Sequence, residues 1–309
     1  MPTRLPDLAA LSVRPLMYED PDEALALGLP IHVRAASSAT LVGDRLYVVQ
    51  DDVHALAVVD PLTAMARPLP LELPGPLVRT KGDKADFEAC ALLPDGTLLV
   101  VGSGSRATRR VAFAVDTHTH GSTLLHAETF YAALDAALAR FGGKTNIEGL
   151  SFATDAVTIL HRGPGLGDLT STSAILRIPT EHVLRALYDG VEVPSSAVKA
   201  APVDLGTLDG DRVSWTDGVD VYGLGVVFTA TAEHTADVEE DGPCTGSVLG
   251  LLPRHGNLAW ARLLEPDGSP LRRKVEGLAI AGERAWLVVD ADDPAAPAVL
   301  VEVPFGALR

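Results

Sequence analysis

The sequence predicts an all-β fold made of similar units arranged in a ring, and three observations support this prediction. Segments with an acidic third residue at the start of an apolar strand recur at 86–92, 146–152 and 274–280, with a looser copy at 215–221. Self-similarity at a spacing of tens of residues indicates an array of supersecondary units. Each opening is followed by further strands rich in Val, Leu and Ile, with short breaks between them. Three or four such strands per unit are typical of a propeller blade.

Five units fill the chain. Each begins with a polar residue ahead of an apolar strand, continues through a short break into a second apolar strand, and then reaches a polar loop. In the second unit the break is Pro94-Asp95-Gly96, whose glycine tolerates the positive φ that a tight hairpin requires. On a common register the units begin near Ser37, Glu88, Glu148, Asp217 and Glu276.

Two short helical inserts and a closing strand complete the predicted fold. Apolar residues recur at helical spacing in segment 127–141, which indicates core packing, and a second helix is predicted at 181–188. The last unit lacks an outermost strand, so we expect segment 8–16 to pair there and protect the exposed sheet edge. We therefore predict a single β-propeller domain over residues 1–309, with five blades, or six if the first 30 or so residues build another.

Composition narrows the class of partner. Hydrophobic residues make up 47% of the chain, which is ample for a packed core. The formal net charge of −16 disfavours binding to a nucleic-acid backbone. No apolar stretch approaches the roughly 18 to 20 residues that span a bilayer, and Arg4, Asp7 and Arg14 interrupt the N-terminal segment. We expect a cytoplasmic protein with no nucleic-acid or membrane partner.

The unit openings resemble those of bacterial β-propeller families, namely the esterase-like phytase propellers and a related uncharacterised group. The resemblance rests on Glu-Gly-Leu openings, on the segment from Phe87 to Gly96 that leads to Gly102-Ser103-Gly104-Ser105, and on the segment from Val227 to Glu233 that leads to Gly246-Ser247. It implies a propeller fold over most of the chain. The resemblance does not imply an activity.

The acidic openings predict a functional site at one mouth of a central channel. Because the first strand of each blade lines the channel, Glu88, Glu148, Asp217 and Glu276 are expected to form a ring there. Such an oxygen-only ring suits a hard cation, and Ca²⁺ is the candidate metal. The alternative is that nearby basic residues neutralise the ring without metal, as Lys274 could do two residues before Glu276.

Two functions are compatible with this site. The first is a non-catalytic propeller that binds a small anionic molecule or a protein partner at the channel mouth. The second is a Ca²⁺-dependent hydrolase of small anionic esters or lactones. In that enzyme Arg106 and Arg162 stabilise negative charge, and His161 or His234 moves protons. The acidic segment 233–241 is predicted to be a solvated loop, with a second Ca²⁺ site as the alternative.

Overall fold

The computed structural model describes residues 2–141, 143–153, 155–163, 173–234 and 242–306. Its strands form five sheets, and its helices are few and short. Within the described residues no helix is both long enough and apolar enough to cross a membrane. The part of the acidic segment at 235–241 lies outside the described residues.

The N-terminal segment supplies short strands to sheets formed by later parts of the chain. It is followed by a helix that the sequence analysis missed, although Asp20 caps it by accepting from the N–H groups of Asp22 and Glu23, and Pro21 begins its first turn. The strands and the helix are β1 (Thr3–Arg4), β2 (Leu8–Ala9), β3 (Ser12–Pro15), β4 (Met17–Tyr18) and α1 (Pro21–Ala26).

The first and second sheets are antiparallel meanders. The strands of the first sheet are β5 (Ala36–Val42), β6 (Arg45–Gln50), β7 (Ala55–Asp60) and β8 (Met65–Pro70), with β4 added beside β8. Those of the second sheet are β9 (Phe87–Leu92), β10 (Thr97–Gly102), β11 (Ala112–Asp116) and β12 (Ser122–Leu124). A 3₁₀ turn at Ala107–Arg109 precedes β11. Gly96 has the predicted positive φ, 88°, in the hairpin between β9 and β10.

Both predicted helices flank the third sheet. Helix α2 (Glu128–Leu138) continues into a 3₁₀ turn at Ala139–Phe141, and its buried residues pack in the hydrophobic core as predicted. Helix α3 (Thr180–Asp189) follows the third strand of the sheet and is itself followed by a 3₁₀ turn at Ser195–Ala197. The strands of the third sheet are β13 (Ile147–Phe152), β14 (Ala156–His161), β15 (Ala174–Pro179) and β16 (Lys199–Pro202).

The fourth sheet is larger than the others. It contains β17 (Thr207–Leu208), β18 (Asp211–Val221), β19 (Gly225–Glu233), β20 (Cys244–Pro253) and β21 (Ala259–Leu264), and both β1 and β2 pair with β21. The fifth sheet contains β22 (Lys274–Ala281), β23 (Arg284–Asp290) and β24 (Val299–Pro304), with β3 at its outer edge.

The architecture is all-β and propeller-like, as the sequence predicts. The innermost strands β5, β9, β13, β18 and β22 contact one another in succession, and β22 contacts β5 again, so they surround one axis. Four sheets have the four or five strands of a blade, whereas the fourth has seven. The prediction of five blades, or of six, is therefore confirmed only as a propeller-like arrangement of four blades and one larger sheet. The difference arises because the β18–β21 meander is extended by short strands at both of its edges, with β17 beside β18 and with β1 and β2 beside β21.

The predicted closing strand is present but shorter than expected. Strand β3 pairs antiparallel with β24, so the outer edge of the fifth sheet is covered. The remainder of segment 8–16 serves a different sheet, because β2 pairs parallel with β21.

Apolar side chains fill the spaces between neighbouring sheets. Val49 and Leu56 of the first sheet belong to the same buried cluster as Phe87 and Leu98 of the second. Each sheet therefore buries residues of both faces, which explains why its inner strands read as continuous apolar runs rather than as alternating ones.

Candidate functional site

A β-bulge occurs at the same place in every innermost strand. In each bulge one residue of the inner strand has no partner on the neighbouring strand, and the backbone there redirects the side chain. In β13, for example, Ile147 pairs with His161 and Gly149 pairs with Leu160, which leaves Glu148 between them. The five bulged residues are Ser37, Glu88, Glu148, Thr216 and Glu276.

Asp217 does not belong to this ring, which corrects the prediction. The bulged residue of β18 is Thr216, because Trp215 pairs with Ala230 and Asp217 pairs with Thr229. A shift of one residue along a strand reverses the direction of the side chain. Asp217 instead lines a separate cavity of about 170 Å³ formed by the opposite ends of the innermost strands.

The glycine of the Glu-Gly-Leu openings is explained by crowding at the axis. A Cβ atom on Gly277 would lie 2.4 Å from Val288 Cγ2 and 2.8 Å from the backbone nitrogen of Ala39 on the neighbouring innermost strand. A Cβ atom on Gly149 would lie 3.0 Å from the backbone nitrogen of Gly218. The repeated motif therefore combines a bulge that directs a carboxyl group toward the axis with a residue small enough for two backbones to approach.

The bulged glutamates line a cavity of about 500 Å³ at one end of the axis. The first, second, third and fifth sheets and their loops all contribute to it. Among the described residues, its lining contains seven basic and six acidic side chains. The basic residues are Lys81, Lys84, Arg106, Arg109, Lys144, Arg162 and Lys274, and the acidic residues are Asp51, Asp86, Glu88, Glu148, Glu276 and Asp290.

Lys84 and Asp86 are the centre of the largest ion-pair network in the cavity. The Lys84 ammonium group lies 2.7 Å from Asp86 Oδ1 and also pairs with Asp51. Arg109 Nη1 lies 2.7 Å from Asp86 Oδ2, and the Ser103 hydroxyl donates to the same oxygen at 2.6 Å. Although burial opposes it, the two carboxylates raise the pKa of Lys84, so this lysine stays charged at neutral pH.

Two further glutamates have basic partners. Lys274 Nζ lies 2.9 Å from Glu276 Oε1, as the sequence spacing predicts. Arg162 lies 3.8 Å from Glu148 Oε1 and 3.1 Å from Glu233 Oε1, and so connects the third sheet to the fourth. These pairs support the alternative in which basic residues neutralise the acidic ring.

Glu88 differs from the other glutamates of the cavity. No residue that the structure describes forms a hydrogen bond or an ion pair with its carboxyl group. Its carboxylate oxygen lies near those of Asp51 and Asp86, with all three ligand atoms within 4.8 Å of one another. Burial, followed by repulsion from Asp86 and Glu148, raises the pKa of Glu88 well above its usual value.

Several other carboxyl groups in the cavity titrate near neutral pH. Burial raises the pKa of Glu148 to about 7, although Arg162 and Lys274 oppose the rise. Burial likewise raises the pKa of Glu276 to about 7, against the opposing effect of Lys274. The pKa of Asp290 is also about 7, because burial and the nearby Asp292 both raise it. The cavity lining thus carries less negative charge at pH 7 than its residue count implies.

The predicted catalytic residues separate into two groups. Arg106 and Arg162 line the cavity. His161 is buried at the end of β14 with its Nδ1 3.1 Å from the backbone nitrogen of Asn146, and burial lowers its pKa to about 4. His234 is exposed and lies 2.9 Å from Asp211. Neither histidine is among the described residues that line the cavity, because His161 is buried at the end of β14 and His234 follows a strand of the fourth sheet, which does not contribute to the lining.

Asp86 and Arg109 also line the cavity but are not among the site residues predicted from the sequence. Asp86 immediately precedes an innermost strand and has a positive φ of 54°, which Asp tolerates better than most residues. Its position two residues before Glu88 was a usable signal, because both residues lie at the same end of one innermost strand. Arg109 had no comparable signal, since it reaches Asp86 from a 3₁₀ turn on another loop.

The fold and the site define a propeller-like protein with a charged cavity at one end of its axis. The chain belongs to a family of unknown function, DUF6929, whose model matches residues 32–304. No curated protein matches the sequence. Membership of the esterase-like phytase propellers is not supported by these comparisons, and the resemblance holds for the fold only.

The chain is similar to several solved structures at low sequence identity. A protein from Bacteroides ovatus described as a candidate glycoside hydrolase is 12% identical with a TM-score of 0.50, over 95% of this chain and 93% of its own. A protein of the GH130 family of mannoside phosphorylases and glycoside hydrolases is 11% identical with a TM-score of 0.48, over 98% and 96%. A candidate gluconolactonase is 11% identical with a TM-score of 0.43, over 96% and 94%.

Proposed function

We propose that this protein binds a small anionic ligand in the cavity at the channel mouth. The observation that carries the proposal is the charge of the lining, which has more basic than acidic side chains in a chain whose formal net charge is −16. The raised pKa values of Glu88, Glu148, Glu276 and Asp290 shift this balance further toward positive charge. A local positive field in a concave site attracts small anions.

Two lysines are suited to contact the ligand. Lys81 and Lys144 line the cavity and are exposed to solvent, and no described residue forms an ion pair with either. Lys84 and Lys274, in contrast, are already paired with carboxylates. An incoming anion would therefore meet available ammonium groups at the rim without disrupting an internal pair.

Thermal-shift measurements with inorganic phosphate, succinate and citrate test the proposal. Ligands that bind the folded state raise Tm by mass action, so we expect at least one anion to stabilise the parent protein at constant ionic strength. Lys144→Met should abolish the shift. Lys199→Met, which alters an exposed lysine on the outermost strand β16, should retain it. Equal shifts in the two variants, or no shift with any anion, would contradict the proposal.

A cation-assisted hydrolase of small esters or lactones is the second candidate. It is favoured by the close approach of Asp51, Asp86 and Glu88, whose carboxylate oxygens suit a hard cation such as Ca²⁺. The Lys84 ammonium group argues against it, because it already neutralises Asp51 and Asp86. We therefore rank anion binding first.

Metal titration separates the candidates. If the hydrolase is correct, Ca²⁺ or Mg²⁺ raises the Tm of chelator-treated protein and supports hydrolysis of p-nitrophenyl acetate or a sugar lactone, and Glu88→Gln abolishes both effects. If metal leaves Tm unchanged and neither substrate is hydrolysed, the second candidate is excluded for these probes.

A further inference from the structure

The chemistry of the cavity changes with depth. Ser37, Glu148 and Glu276 are buried at the bulges that form its floor. Lys81 and Lys144 are exposed at its opening, so they form its rim. A ligand that fills the cavity would therefore present different groups to the two ends.

Most side chains that line the cavity are polar or charged. Of the described residues that line it, only Ala35, Ala36 and Gly163 lack a polar side chain, and none is aromatic. Asn146, which donates to Glu148 Oε1 at 3.0 Å, adds an amide to the lining near the floor. Such a surface gives little hydrophobic stabilisation to an alkyl chain or to an aromatic ring, whose burial supplies most of the affinity in ordinary ligand pockets.

The floor favours hydroxyl groups. The carboxyl groups of Glu88, Glu148 and Glu276 stand together at the bulges that form the floor. A protonated carboxyl group donates and accepts hydrogen bonds, whereas a carboxylate only accepts, and a ligand hydroxyl can satisfy either. Glu88 has no hydrogen-bond partner among the described residues, so its carboxyl group is available to a ligand.

We propose that the ligand is a small polyhydroxylated anion, such as a sugar acid or a sugar phosphate, bound with its hydroxyl groups against Glu88 and the other floor glutamates and its anionic group at the Lys81 and Lys144 rim. This inference rests on the proposed function and specifies its ligand class. The volume of about 500 Å³ is sufficient for a monosaccharide-sized molecule with bound water.

Matched ligand pairs test the inference by calorimetry at constant ionic strength. Gluconate and hexanoate carry the same charge on chains of six carbons, but only gluconate has hydroxyl groups along the chain. We expect gluconate or glucose 6-phosphate to bind at least about tenfold more tightly than hexanoate, roughly the effect of one hydrogen bond to a charged group. Neutral glucose should bind more weakly than the sugar anion that binds. Whichever of gluconate and glucose 6-phosphate binds more tightly shows whether the rim prefers a carboxylate or a phosphate group.

Two substitutions test which residues contact the hydroxyl groups of the ligand and which contact its anionic group. Glu88→Ala should weaken binding of the preferred sugar anion about tenfold while changing inorganic phosphate binding less than about twofold, because phosphate reaches only the rim. Lys144→Met should weaken both. Retained phosphate binding in Glu88→Ala also shows that the variant is folded.

Three other results would contradict the inference in whole or in part. Equal affinity for gluconate and hexanoate, together with no advantage for glucose 6-phosphate over inorganic phosphate, overturns the inference but leaves anion binding intact. Equal affinity for glucose and for both sugar anions overturns the rim assignment. If none of these anions binds, the ligand class fails, and the separate panel of phosphate, succinate and citrate decides whether the proposed function fails with it.

Discussion

The Ser38 hydroxyl donates a hydrogen bond of 3.1 Å to Asp217 Oδ2, which joins the innermost strands of the first and fourth sheets across 179 residues of sequence. The same carboxylate oxygen accepts from the backbone N–H of Leu278 in the fifth sheet at 2.9 Å. Asp217 therefore connects three sheets at the axis. Its surroundings support a structural role, in contrast to the metal-binding role that the sequence predicts for it.

Removing this carboxyl group should destabilise the fold. We expect Asp217→Ala to lower the free energy of unfolding by about 2 to 4 kcal/mol, because it leaves buried donors without an acceptor. Urea denaturation measures the change. Asp44→Ala, at a hairpin position where the side chain is 89% exposed, is the control and should change stability by less than about 0.5 kcal/mol. A comparable loss in both variants would mean that the contacts of Asp217 do not stabilise the ring.

Close packing at the axis predicts an effect of a single methyl group. Gly277→Ala places a Cβ atom 2.4 Å from Val288 Cγ2 and 2.8 Å from the Ala39 nitrogen, so one of the two strands must move. We expect a loss of about 1 to 3 kcal/mol in the free energy of unfolding.

Gly82→Ala provides the matched control for this substitution. The nearest atom to its added Cβ, Thr80 Oγ1, lies 4.0 Å away, so the methyl group meets no steric conflict. Thermal and urea denaturation of the two variants should therefore differ clearly. If Gly277→Ala is as stable as Gly82→Ala, the strands approach less closely than described.

The raised pKa values in the cavity predict that stability falls as pH rises. Glu148 has a pKa of about 7 in the folded protein and about 4.3 when unfolded, so between these values the folded state binds the extra proton. The contribution of this group to the free energy of unfolding is therefore full below about pH 4.3 and is lost as pH rises through 7. Glu276 follows the same direction.

Glu148→Gln isolates this effect. The difference in free energy of unfolding between the parent and the variant should change by about 1 to 3 kcal/mol between pH 5 and pH 8, with the parent relatively less stable at pH 8. Chemical denaturation across this range measures it. Parallel pH profiles for the two proteins would show that Glu148 titrates normally.

We expect the carboxylates around Lys84 to bind a metal ion only when the lysine is removed. Lys84→Met removes the ammonium group that pairs with Asp51 and Asp86, and leaves their carboxylates beside Glu88 without that cation. We expect the variant to be less stable than the parent and to gain Tm on addition of Ca²⁺, because a divalent cation can replace the lost charge.

The metal response of the parent is the informative comparison. The parent and Lys199→Met should show no Ca²⁺-dependent gain if Lys84 already satisfies the cluster. A gain of equal size in all three proteins would instead favour the hydrolase candidate and contradict the ion-pair interpretation.

The sequence predicted the bulged glutamates because their motif repeats, but it misplaced the fourth unit by one residue. The repeat in the sequence places Gly218 at the glycine of the Glu-Gly-Leu motif. In the structure, Asp217 occupies the position equivalent to Gly149, and Thr216 occupies the position equivalent to Glu148. The pattern of apolar residues does not distinguish these registers, because β18 is buried on both faces there. Only the pairing with β19 decides between them.

The ion-pair network was less predictable than the ring. Lys274 and Glu276 are two residues apart on one strand, so their pairing follows from strand geometry. Asp51, Asp86 and Arg109 come from separate loops and meet only when the first and second sheets pack together. Such contacts depend on tertiary structure, and local sequence pattern does not show which of these side chains pair with one another.

The N-terminal strands have a consequence for how the molecule is assembled during translation. Residues 3–18 are synthesised before the rest of the five sheets, yet β1, β2 and β3 pair with β21 and β24, which are synthesised more than 240 residues later. Strand β4 joins the first sheet, so one short stretch of polypeptide fastens three adjacent sheets. The ring can therefore close only after β24 has left the ribosome. Until β21 and β24 have emerged, β1, β2 and β3 have no strands to pair with.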